Sequence, residues 1–459
     1  MEHTSTLRSG IVRVAALATL LCTLGSSQVS AAPHVRILDD VRAQPGAPPT
    51  YAFCETNYSA ACYSPQQMRT AYGLNGLIDA GMVGKGETII IIDSYGSPTI
   101  ADDLKAFDAG YGLPDPPSLT VLAPLGTVPW DGSNNDQVGW GFEATLDVEW
   151  AHAMAPGADI VLLTSPVSET EGVQGMPEFL ALLHYALDHH LGKIISQSWG
   201  ATENTLFLDT AGPGGPQVIA GFEAFYRRAA QEHVTVFASA GDNGSSNVET
   251  DGATYYPFPT VGYPASSPFV TAIGGTTLYA DAKGKYQSET VWNDPGCCAG
   301  GGGISQIFRE PGYQYASLPE SVQSQLGGMR GLPDVSYQAD CYYTFIWVYV
   351  SFSGSGGPGW AGICGTSEGS PQWAGIAADL NQFAGRPLGF LNPGIYALGG
   401  FHRFGEIGRD ITVGNNALLD VPGAVAPGYS ATPGWDLASG WGTPNVAGLP
   451  FEWIDWLRN

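Results

Sequence analysis

The sequence predicts an α/β fold in which helices cover both faces of a mostly parallel β-sheet. One observation is a set of apolar, strand-length runs without polar alternation, at residues 88–92, 158–163, 193–196, 234–238 and 269–273. The other is a set of amphipathic stretches between them, such as residues 179–191 and 219–231. Strands that lack alternation are buried on both faces, and strands separated by helices pair in parallel.

Composition supports a globular protein. Of the 459 residues, 44% are hydrophobic and 11% aromatic, whereas only 13% are charged, which is the opposite of a disordered composition. The formal net charge of −25 opposes binding to nucleic acid or to anionic lipid. We therefore expect no nucleic-acid partner and no membrane partner, and we expect a monomer.

The N-terminal residues 1–31 have the pattern of a signal peptide. Arg8 and Arg13 precede an apolar run at residues 14–24, and Val29-Ser30-Ala31 suits cleavage after a small residue. The run is too short to span a bilayer, and a buried N-terminal helix is the alternative. We expect a secreted, extracellular protein. Residues 32–60 are predicted to be a short leader or linker, and residues 61–459 the main domain.

Cysteine usage agrees with an oxidising compartment. The chain has seven cysteines, and those outside the signal peptide are Cys54, Cys62, Cys297, Cys298, Cys341 and Cys364. The first two are close enough to close a local loop, whereas we expect the adjacent Cys297 and Cys298 not to pair with each other. A zinc site is a weaker alternative, because there is no CxxC pair and no histidine at ligand spacing.

A candidate nucleophile lies in Gly365-Thr366-Ser367, which Pro371 and an apolar helical stretch follow. Proline is tolerated in the first turn of a helix, so Ser367 is predicted to lie where a loop enters a helix. Free backbone N–H groups and the positive end of the helix dipole could stabilise an oxyanion there. The alternative is that the hydroxyl merely caps the helix.

A serine nucleophile needs a base, and none of the eight histidines lies in a His-Gly-Thr setting. Glu143 and Asp147 are the other candidates, because residues four apart share one helical face. Two close carboxylates split their pKa values, so such a pair can hold and pass protons in acid. The alternative is a solvated acidic face that includes Glu149.

Three predicted strands end in polar or aromatic residues that could form a site. These residues are Asp93, Trp199 and Asp242. In a parallel sheet, ligands bind beyond the carboxyl ends of the strands. Each residue alone is typical of a turn, but together they indicate a site at one rim of the sheet.

Several motifs occur in one order from about Cys62 to the end of the chain. They are Glu-x-x-x-Asp-Val-Glu, Ala-Pro-Gly-Ala, Ser-x-Ser-Trp-Gly, Ala-Gly-Asp-x-Gly, Tyr-Pro-Ala-Ser-Ser-Pro and Gly-Thr-Ser-x-x-x-Pro. This series resembles the sedolisin family of serine-carboxyl peptidases. The resemblance implies a subtilisin-like three-layer fold over residues 61–459. It also implies a serine-type endopeptidase that hydrolyses protein or peptide substrates at acidic pH.

The resemblance also implies residue roles. Ser367 would be the nucleophile, Glu143 its general base, and Asp147 the carboxylate that orients the base and shares its proton. Asp242 would donate to the oxyanion, which requires a protonated carboxyl because an ionised one cannot donate. Asp93 and Trp199 resemble a relay behind the base.

One structural Ca²⁺ is implied near the C-terminus. The resemblance assigns it the side chains of Asp410 and Asp436 and the backbone carbonyls of Ile411, Thr432 and Gly434. Ligands that are all oxygens suit a hard cation. A glycine-rich turn with two capping aspartates is the alternative.

The sequence leaves two other functions possible. A histidine-dependent hydrolase could use Asp93 and His152 and would work best at neutral or alkaline pH. A secreted binding protein could retain the scaffold without activity.

Overall fold

The computed structural model describes residues 36–207, 214–400, 405 and 408–447. The predicted signal peptide lies outside these residues. Within them the strands are β1 (Arg36–Ala43), β2 (Ala61–Tyr63), β3 (Thr88–Ser94), β4 (Leu119–Leu122), β5 (Asp159–Ser165), β6 (Ile194–Gln197), β7 (Ala201–Thr202), β8 (Thr235–Ser239), β9 (Gly262–Tyr263), β10 (Thr271–Ala280), β11 (Tyr286–Val291), β12 (Asn293–Asp294), β13 (Cys298–Ala299), β14 (Gly303–Arg309), β15 (Met329–Leu332), β16 (Val335–Gln338), β17 (Thr344–Val350), β18 (Gly359–Cys364), β19 (Gly408–Arg409) and β20 (Thr443–Pro444).

The helices separate or follow these strands. They are α1 (Tyr51–Tyr58), α2 (Pro65–Ala71), α3 (Asn75–Asp79), α4 (Ile100–Tyr111), α5 (Asn135–Met154), α6 (Met176–Asp188), α7 (Glu203–Phe207), α8 (Gly215–Gln231), α9 (Gly312–Ser317), α10 (Glu320–Leu326), α11 (Gly369–Ala384), α12 (Asn392–Gly400) and a 3-10 helix at Thr366–Glu368. No described helix combines the length and apolarity that a membrane span requires.

The main sheet has eight strands. Seven run in the order β11-β10-β8-β6-β3-β5-β4, and β16 pairs with β10. The pairs from β4 to β10 are parallel, as is β10 with β16, whereas β11 is antiparallel to β10. The predicted α/β fold class is therefore confirmed. Each of the five predicted strand runs contributes to a strand of this sheet.

Helices cover this sheet on both faces, which gives three layers. Along β3, Ile89 and Ile91 pack into the same apolar core as α5 and α11, whereas Ile90 and Ile92 pack with α6 and α8. Successive side chains of a strand point to opposite faces, so one continuous apolar run supplies both cores.

A second sheet of four strands has the order β1-β18-β17-β2. Strand β1 is antiparallel to β18, with Arg36 opposite Cys364. Residues 36–58 of the predicted leader segment thus form a strand and a helix in this structure. The pairing matters for the site because β18 leads directly into Gly365-Thr366-Ser367.

Helix α5 begins at a capped end and packs closely on α11. The Asn134 side chain accepts hydrogen bonds from the backbone N–H groups of Asp136 and Gln137, at 3.0 and 3.3 Å, which satisfies donors that the first turn leaves open. Near the other end, Gly375 of α11 has no side chain to separate the helices. A Cβ atom there would lie 2.5 Å from the Met154 Cβ.

The structure forms three disulfides, Cys54–Cys62, Cys297–Cys298 and Cys341–Cys364. The local pairing of Cys54 with Cys62 is confirmed. The expectation that Cys297 and Cys298 do not pair with each other is wrong. These two residues lie where β12 turns into β13, and the Cys297 backbone N–H donates to the Asp294 carbonyl at 3.0 Å. The chain changes direction at this dipeptide, so the two side chains can meet. The expectation considered only that the two cysteines are adjacent in the sequence, not the turn.

The close approach at Gly375 gives a prediction. Gly375→Ala should lower the free energy of unfolding by about 1–3 kcal/mol, since an added methyl group overpacks the helix interface. Gly76→Ala in α3 is the matched control, because a Cβ atom there meets nothing within 4 Å. It should be neutral or stabilise by up to about 1 kcal/mol through helix propensity. Urea unfolding of both variants checks this, and equal effects would contradict it.

Candidate active site

The carboxyl ends of three central strands bring the predicted rim residues together. Asp93 lies near the end of β3, Ser198 and Trp199 follow β6, and Asp242 follows β8. Strands β3, β6 and β8 are neighbours in the sheet. The rim that the sequence predicts is therefore present, and helix α5 packs against it through β3.

The Ser367 segment is fixed to this rim. After β18, Gly365 has a φ of +116°, which an L-residue rarely adopts, and the chain turns into the 3-10 helix and then α11. Ser370 anchors the turn because its Oγ lies 2.8 Å from the Ser196 Oγ and accepts from the Gln197 backbone N–H at 3.2 Å. Ser367 is fully buried at the start of the helical segment, as predicted.

The predicted carboxylate pair is buried rather than solvated. Glu143, Asp147 and Asp93 are all 0% exposed. The Ser198 Oγ donates to Asp147 Oδ1 at 2.8 Å. Helix α5, which carries Glu143 and Asp147, contacts the 3-10 helix that carries Ser367.

Burial controls the protonation of these acids. It raises the pKa of Asp147 well above its ordinary range, and the nearby charges of Asp93 and Glu143 raise it further. Burial also raises the pKa of Asp93 to about 8. Carboxyl groups in this cluster therefore keep protons at pH values where exposed carboxyls have lost them.

Asp242 is positioned by Thr366, the residue before Ser367. Its Oδ1 accepts hydrogen bonds from both the backbone N–H and the Oγ1 of Thr366, each at 2.8 Å. Burial raises the pKa of Asp242 to about 6, although the positive charge of Arg36 and the Thr366 hydrogen bonds lower it. The Arg36 Nε lies 4.0 Å from Asp242 Oδ2.

Known proteins resemble this chain in sequence and structure. The subtilase family model matches residues 132–388. Kumamolisin from Bacillus sp. (strain MN-32) is 34% identical over 386 residues, which cover 83% of this chain and 62% of that protein. Sedolisin from Pseudomonas sp. (strain 101) is 29% identical over 401 residues, which cover 85% of this chain and 61% of that protein. The chain belongs to the sedolisin family of subtilases.

A solved structure supports this family assignment. Pseudomonas sedolisin, described as a serine-carboxyl proteinase in complex with pseudo-iodotyrostatin, superposes with a TM-score of 0.68 and 27% identity. The superposition covers 87% of this chain and 98% of that one. Human tripeptidyl-peptidase 1 is 31% identical over 67% of this chain, which spans 51% of that protein. The sedolisin-family chain thus spans only part of its curated relatives.

The histidine considered as an alternative base lies elsewhere. The His152 Nε2 is 2.8 Å from the Pro114 carbonyl and 3.2 Å from Asp108 Oδ1. In the described part of the chain, none of its hydrogen bonds or ion pairs involves Asp93 or Ser367. In this sedolisin-family protein His152 therefore has contacts that explain its burial structurally.

Glu149 belongs to a different environment from the pair. It is buried, and its Oε2 accepts a hydrogen bond from the Tyr349 backbone N–H of β17 at 3.0 Å. The alternative of a solvated acidic face is wrong for Glu143, Asp147 and Glu149, which are all buried because α5 lies between the main sheet and the second sheet.

The two segments of the predicted calcium site lie together. Asp410 Oδ2 accepts from the Gly434 backbone N–H at 2.8 Å, and Asp436 Oδ2 accepts from the Thr432 backbone N–H at 2.7 Å. Burial raises the pKa of Asp410, and it raises that of Asp436 to about 6. No lysine or arginine in residues 36–207, 214–400 and 408–447 forms an ion pair with either aspartate. Asp436 is buried and Asp410 is exposed, and neither carboxyl has a cationic partner among the described residues, so the pair fits a cation.

Sequence reasoning missed residues that hold the site in place. Arg36 and Thr366 contact Asp242, and Ser198 contacts Asp147. Thr366 and Ser198 lie inside motifs that the sequence analysis identified, so their positions carried a signal. Arg36 carried none, because its contact depends on the pairing of β1 with β18.

Because these acids are buried, we expect the free energy of unfolding to depend on pH. The folded-state pKa values of Asp93 (about 8), Glu203 (about 7) and Asp242 (about 6) exceed their ordinary unfolded values. A carboxyl whose pKa is higher in the folded state than in the unfolded state makes its full contribution to stability below its unfolded-state pKa of about 4. That contribution is lost as the pH rises through the folded-state pKa. The urea concentration at the unfolding midpoint of Ser367→Ala should therefore decrease as the pH is raised from 4 to 8. Midpoints that rise steadily over this range would contradict the burial argument.

Proposed function

We propose that this protein is a secreted serine-carboxyl endopeptidase that hydrolyses proteins or peptides at acidic pH. The observation that carries the proposal is the buried carboxyl cluster of Glu143, Asp147 and Asp93 on the helix and strand next to the Ser367 segment. The description of the Pseudomonas relative as a serine-carboxyl proteinase agrees with it. The disulfides suit an oxidising compartment outside the cell.

The proposed reaction proceeds through an acyl-enzyme. The Ser367 Oγ attacks the scissile carbonyl carbon while its proton passes to Glu143, so the base is neutral when the tetrahedral intermediate forms. The C–N bond then breaks, and the amine leaves with the proton from Glu143. Water then attacks the acyl-enzyme ester and passes a proton to Glu143. The bond between the acyl carbon and the Ser367 Oγ breaks, and that Oγ takes the proton back from Glu143. Asp147 holds Glu143 in place and shares its proton.

Asp242 is proposed to stabilise the oxyanion. Its Oδ1 is occupied by Thr366, which leaves Oδ2 to carry a proton and donate it toward the developing charge. The pKa of about 6 keeps this group protonated in acid. As pH rises, Asp242 ionises and becomes an acceptor that repels the oxyanion.

The pH dependence of activity follows from this role. On a denatured protein substrate, kcat/KM of the wild type should fall as pH rises through about 6, where Asp242 loses its proton. Ser367→Ala should lose activity at every pH by a factor on the order of 10⁶ while it stays folded. Product formation measured by mass spectrometry between pH 2 and 8 checks both. Cleavage by Ser367→Ala near the wild-type rate rules out the proposal.

Two variants separate the carboxylate mechanism from the histidine alternative in the same assay. Glu143→Gln should abolish turnover because glutamine cannot accept the serine proton. His152→Gln should keep turnover if circular dichroism shows that it folds. The opposite pattern, with a neutral or alkaline optimum, would support the histidine-dependent hydrolase. Absence of any cleavage by the wild type would support the inactive binding protein.

We also propose that Asp410 and Asp436, with the carbonyls of Ile411, Thr432 and Gly434, hold one structural Ca²⁺. The support is the contact between the two segments and the two carboxyls without a cationic partner in the described part of the chain. The ion would neutralise both carboxylates and tie the Asp410 segment to the turn before Asp436.

Removal of calcium gives a stability prediction. With Ca²⁺ at about 100 times its Kd, chelation should cost about 2.7 kcal/mol of unfolding free energy, and added Ca²⁺ should restore it. Asp410→Asn should weaken this response, whereas Asp115→Asn, at an exposed position away from these segments, should preserve it. Thermal unfolding with and without chelator measures the effect. An unfolding curve that chelation does not move would contradict the site.

A further inference from the structure

We propose that Cys297 is a modification site for small-molecule thiols, and that thiolation there starts a disulfide exchange that frees Cys364, close before Ser367 in the chain. The site consists of the four cysteines of two disulfides, Cys297–Cys298 and Cys341–Cys364, called here the sulfur cluster. This chemistry goes beyond the proposed peptidase function, and only its expected effect on turnover rests on that function.

The two disulfides of the sulfur cluster are in contact. The Cys298 Sγ lies 3.7 Å from the Cys341 Sγ, although each sulfur is bonded to a different partner. The Sγ atoms of Cys297, Cys298 and Cys341 all lie within 4.8 Å of one another. Disulfides exchange by attack of a thiolate on a disulfide sulfur, so a thiolate formed at Cys298 would have the Cys341 sulfur within reach.

One end of the sulfur cluster is accessible from solvent. Cys297 is half-buried and follows two exposed residues, whereas Cys298 is fully buried. An external thiolate is thereby directed to the Cys297 sulfur, and attack there makes Cys298 the leaving group. The second disulfide is buried at both ends, with Cys341 4% exposed and Cys364 0%. It is therefore reached from inside the protein, through Cys298.

The exchange has two balanced steps. The external thiolate attacks the Cys297 Sγ and forms a mixed disulfide, while the bond to Cys298 breaks and Cys298 leaves as a thiolate. The Cys298 thiolate then attacks the Cys341 Sγ, the bond from Cys341 to Cys364 breaks, and Cys364 leaves as a thiolate that takes a proton from water. One thiol enters and one thiol appears, so the exchange involves no net oxidation or reduction.

Both disulfides of the sulfur cluster lie next to residues that hold Asp242. Directly after Cys298, the Ala299 backbone N–H donates to the Asp242 carbonyl at 3.0 Å. Two residues after Cys364, the Thr366 backbone N–H donates to Asp242 Oδ1 at 2.8 Å. Exchange would remove the disulfide that holds the chain before Thr366 and add one beside Ala299. We therefore expect it to move the carboxyl that is proposed to stabilise the oxyanion.

The pH determines when this exchange can run. The attacking species is a thiolate, and an ordinary thiol has a pKa of about 8.5. Thiolates are scarce at the acidic pH of the proposed activity, so a disulfide arrangement that is set near neutral pH should persist during turnover. Treatment with a thiol at about pH 8 can therefore be separated from a measurement of activity in acid.

Disulfide mapping tests the exchange directly. The Ser367→Ala protein is treated with reduced glutathione at about pH 8, quenched in acid with N-ethylmaleimide and digested with pepsin for mass spectrometry. We expect glutathione on Cys297, a link between Cys298 and Cys341, and alkylated Cys364. Glutathione on Cys297 with an intact Cys341–Cys364 link would contradict the exchange. Absence of glutathione from Cys297 would contradict the modification site.

Two double variants in the same background test the route of the exchange. Cys297→Ser with Cys298→Ser removes the accessible disulfide, so glutathione should leave the second disulfide of the sulfur cluster intact. Cys54→Ser with Cys62→Ser is the matched control, because that disulfide is buried and lies outside the cluster, and the exchange should proceed in it unchanged. Alkylation of Cys364 in the first variant to the same extent as in its parent would overturn the route. If the first variant fails to fold, the map of the parent decides.

Turnover by the active protein measures the effect on the site. Wild type that is treated with glutathione and moved to acid should have a kcat/KM about tenfold below that of an untreated sample, less than the cost of losing an oxyanion donor completely. The variant without Cys297 and Cys298 should keep its rate after the same treatment. Completed exchange with an unchanged kcat/KM would refute the effect on Asp242. If untreated wild type cleaves nothing at any pH, the proposed function fails, whereas the disulfide map still decides the modification site.

Discussion

Burial of carboxyl groups at the junction of α5, α11 and the main sheet is the constraint on which the rest of the structure depends. A carboxylate removed from water without a cation is costly, so the group keeps its proton instead. Asp93, Asp147 and Asp242 all have raised pKa values for this reason. Burial therefore keeps these acids protonated at pH values where exposed aspartates are ionised, which is the state that the proposed mechanism requires of Asp242.

The fold supplies that burial through close packing. Gly375 lets α11 approach α5, and Ser370 ties the start of α11 to β6. The Ser367 segment and α5 are thereby fixed against one sheet, rather than being carried on separate loops. Asp242 depends on the same arrangement, because the residue that holds its Oδ1 is the immediate neighbour of Ser367.

The N-terminal strand adds a further electrostatic influence. Arg36 in β1 lies near Asp242 and favours its ionised form, which opposes the proposed role as a proton donor. Desolvation outweighs this effect, since the resulting pKa is still above the ordinary value for an aspartate. The position of β1 on β18 therefore contributes to the pH at which Asp242 changes state.

Local patterns made much of the fold predictable from the sequence. Apolar runs identified the central strands, and the spacing of Glu143 and Asp147 placed them on one face of a helix. Their burial could not be read from spacing, because it depends on elements that are distant in the chain, such as α11 and β17, whose Tyr349 is 200 residues from Glu149. The pairing of Cys297 with Cys298 and the contact of Arg36 with Asp242 also require the tertiary structure.

Infrared difference spectroscopy of the Ser367→Ala protein tests the central claim most directly. The signal of protonated carboxyls should persist at pH 6, where exposed aspartates are ionised, and Asp147→Asn should reduce it. Complete loss of that signal by about pH 5, as expected for unperturbed carboxyls, would contradict the claim that burial keeps these acids neutral.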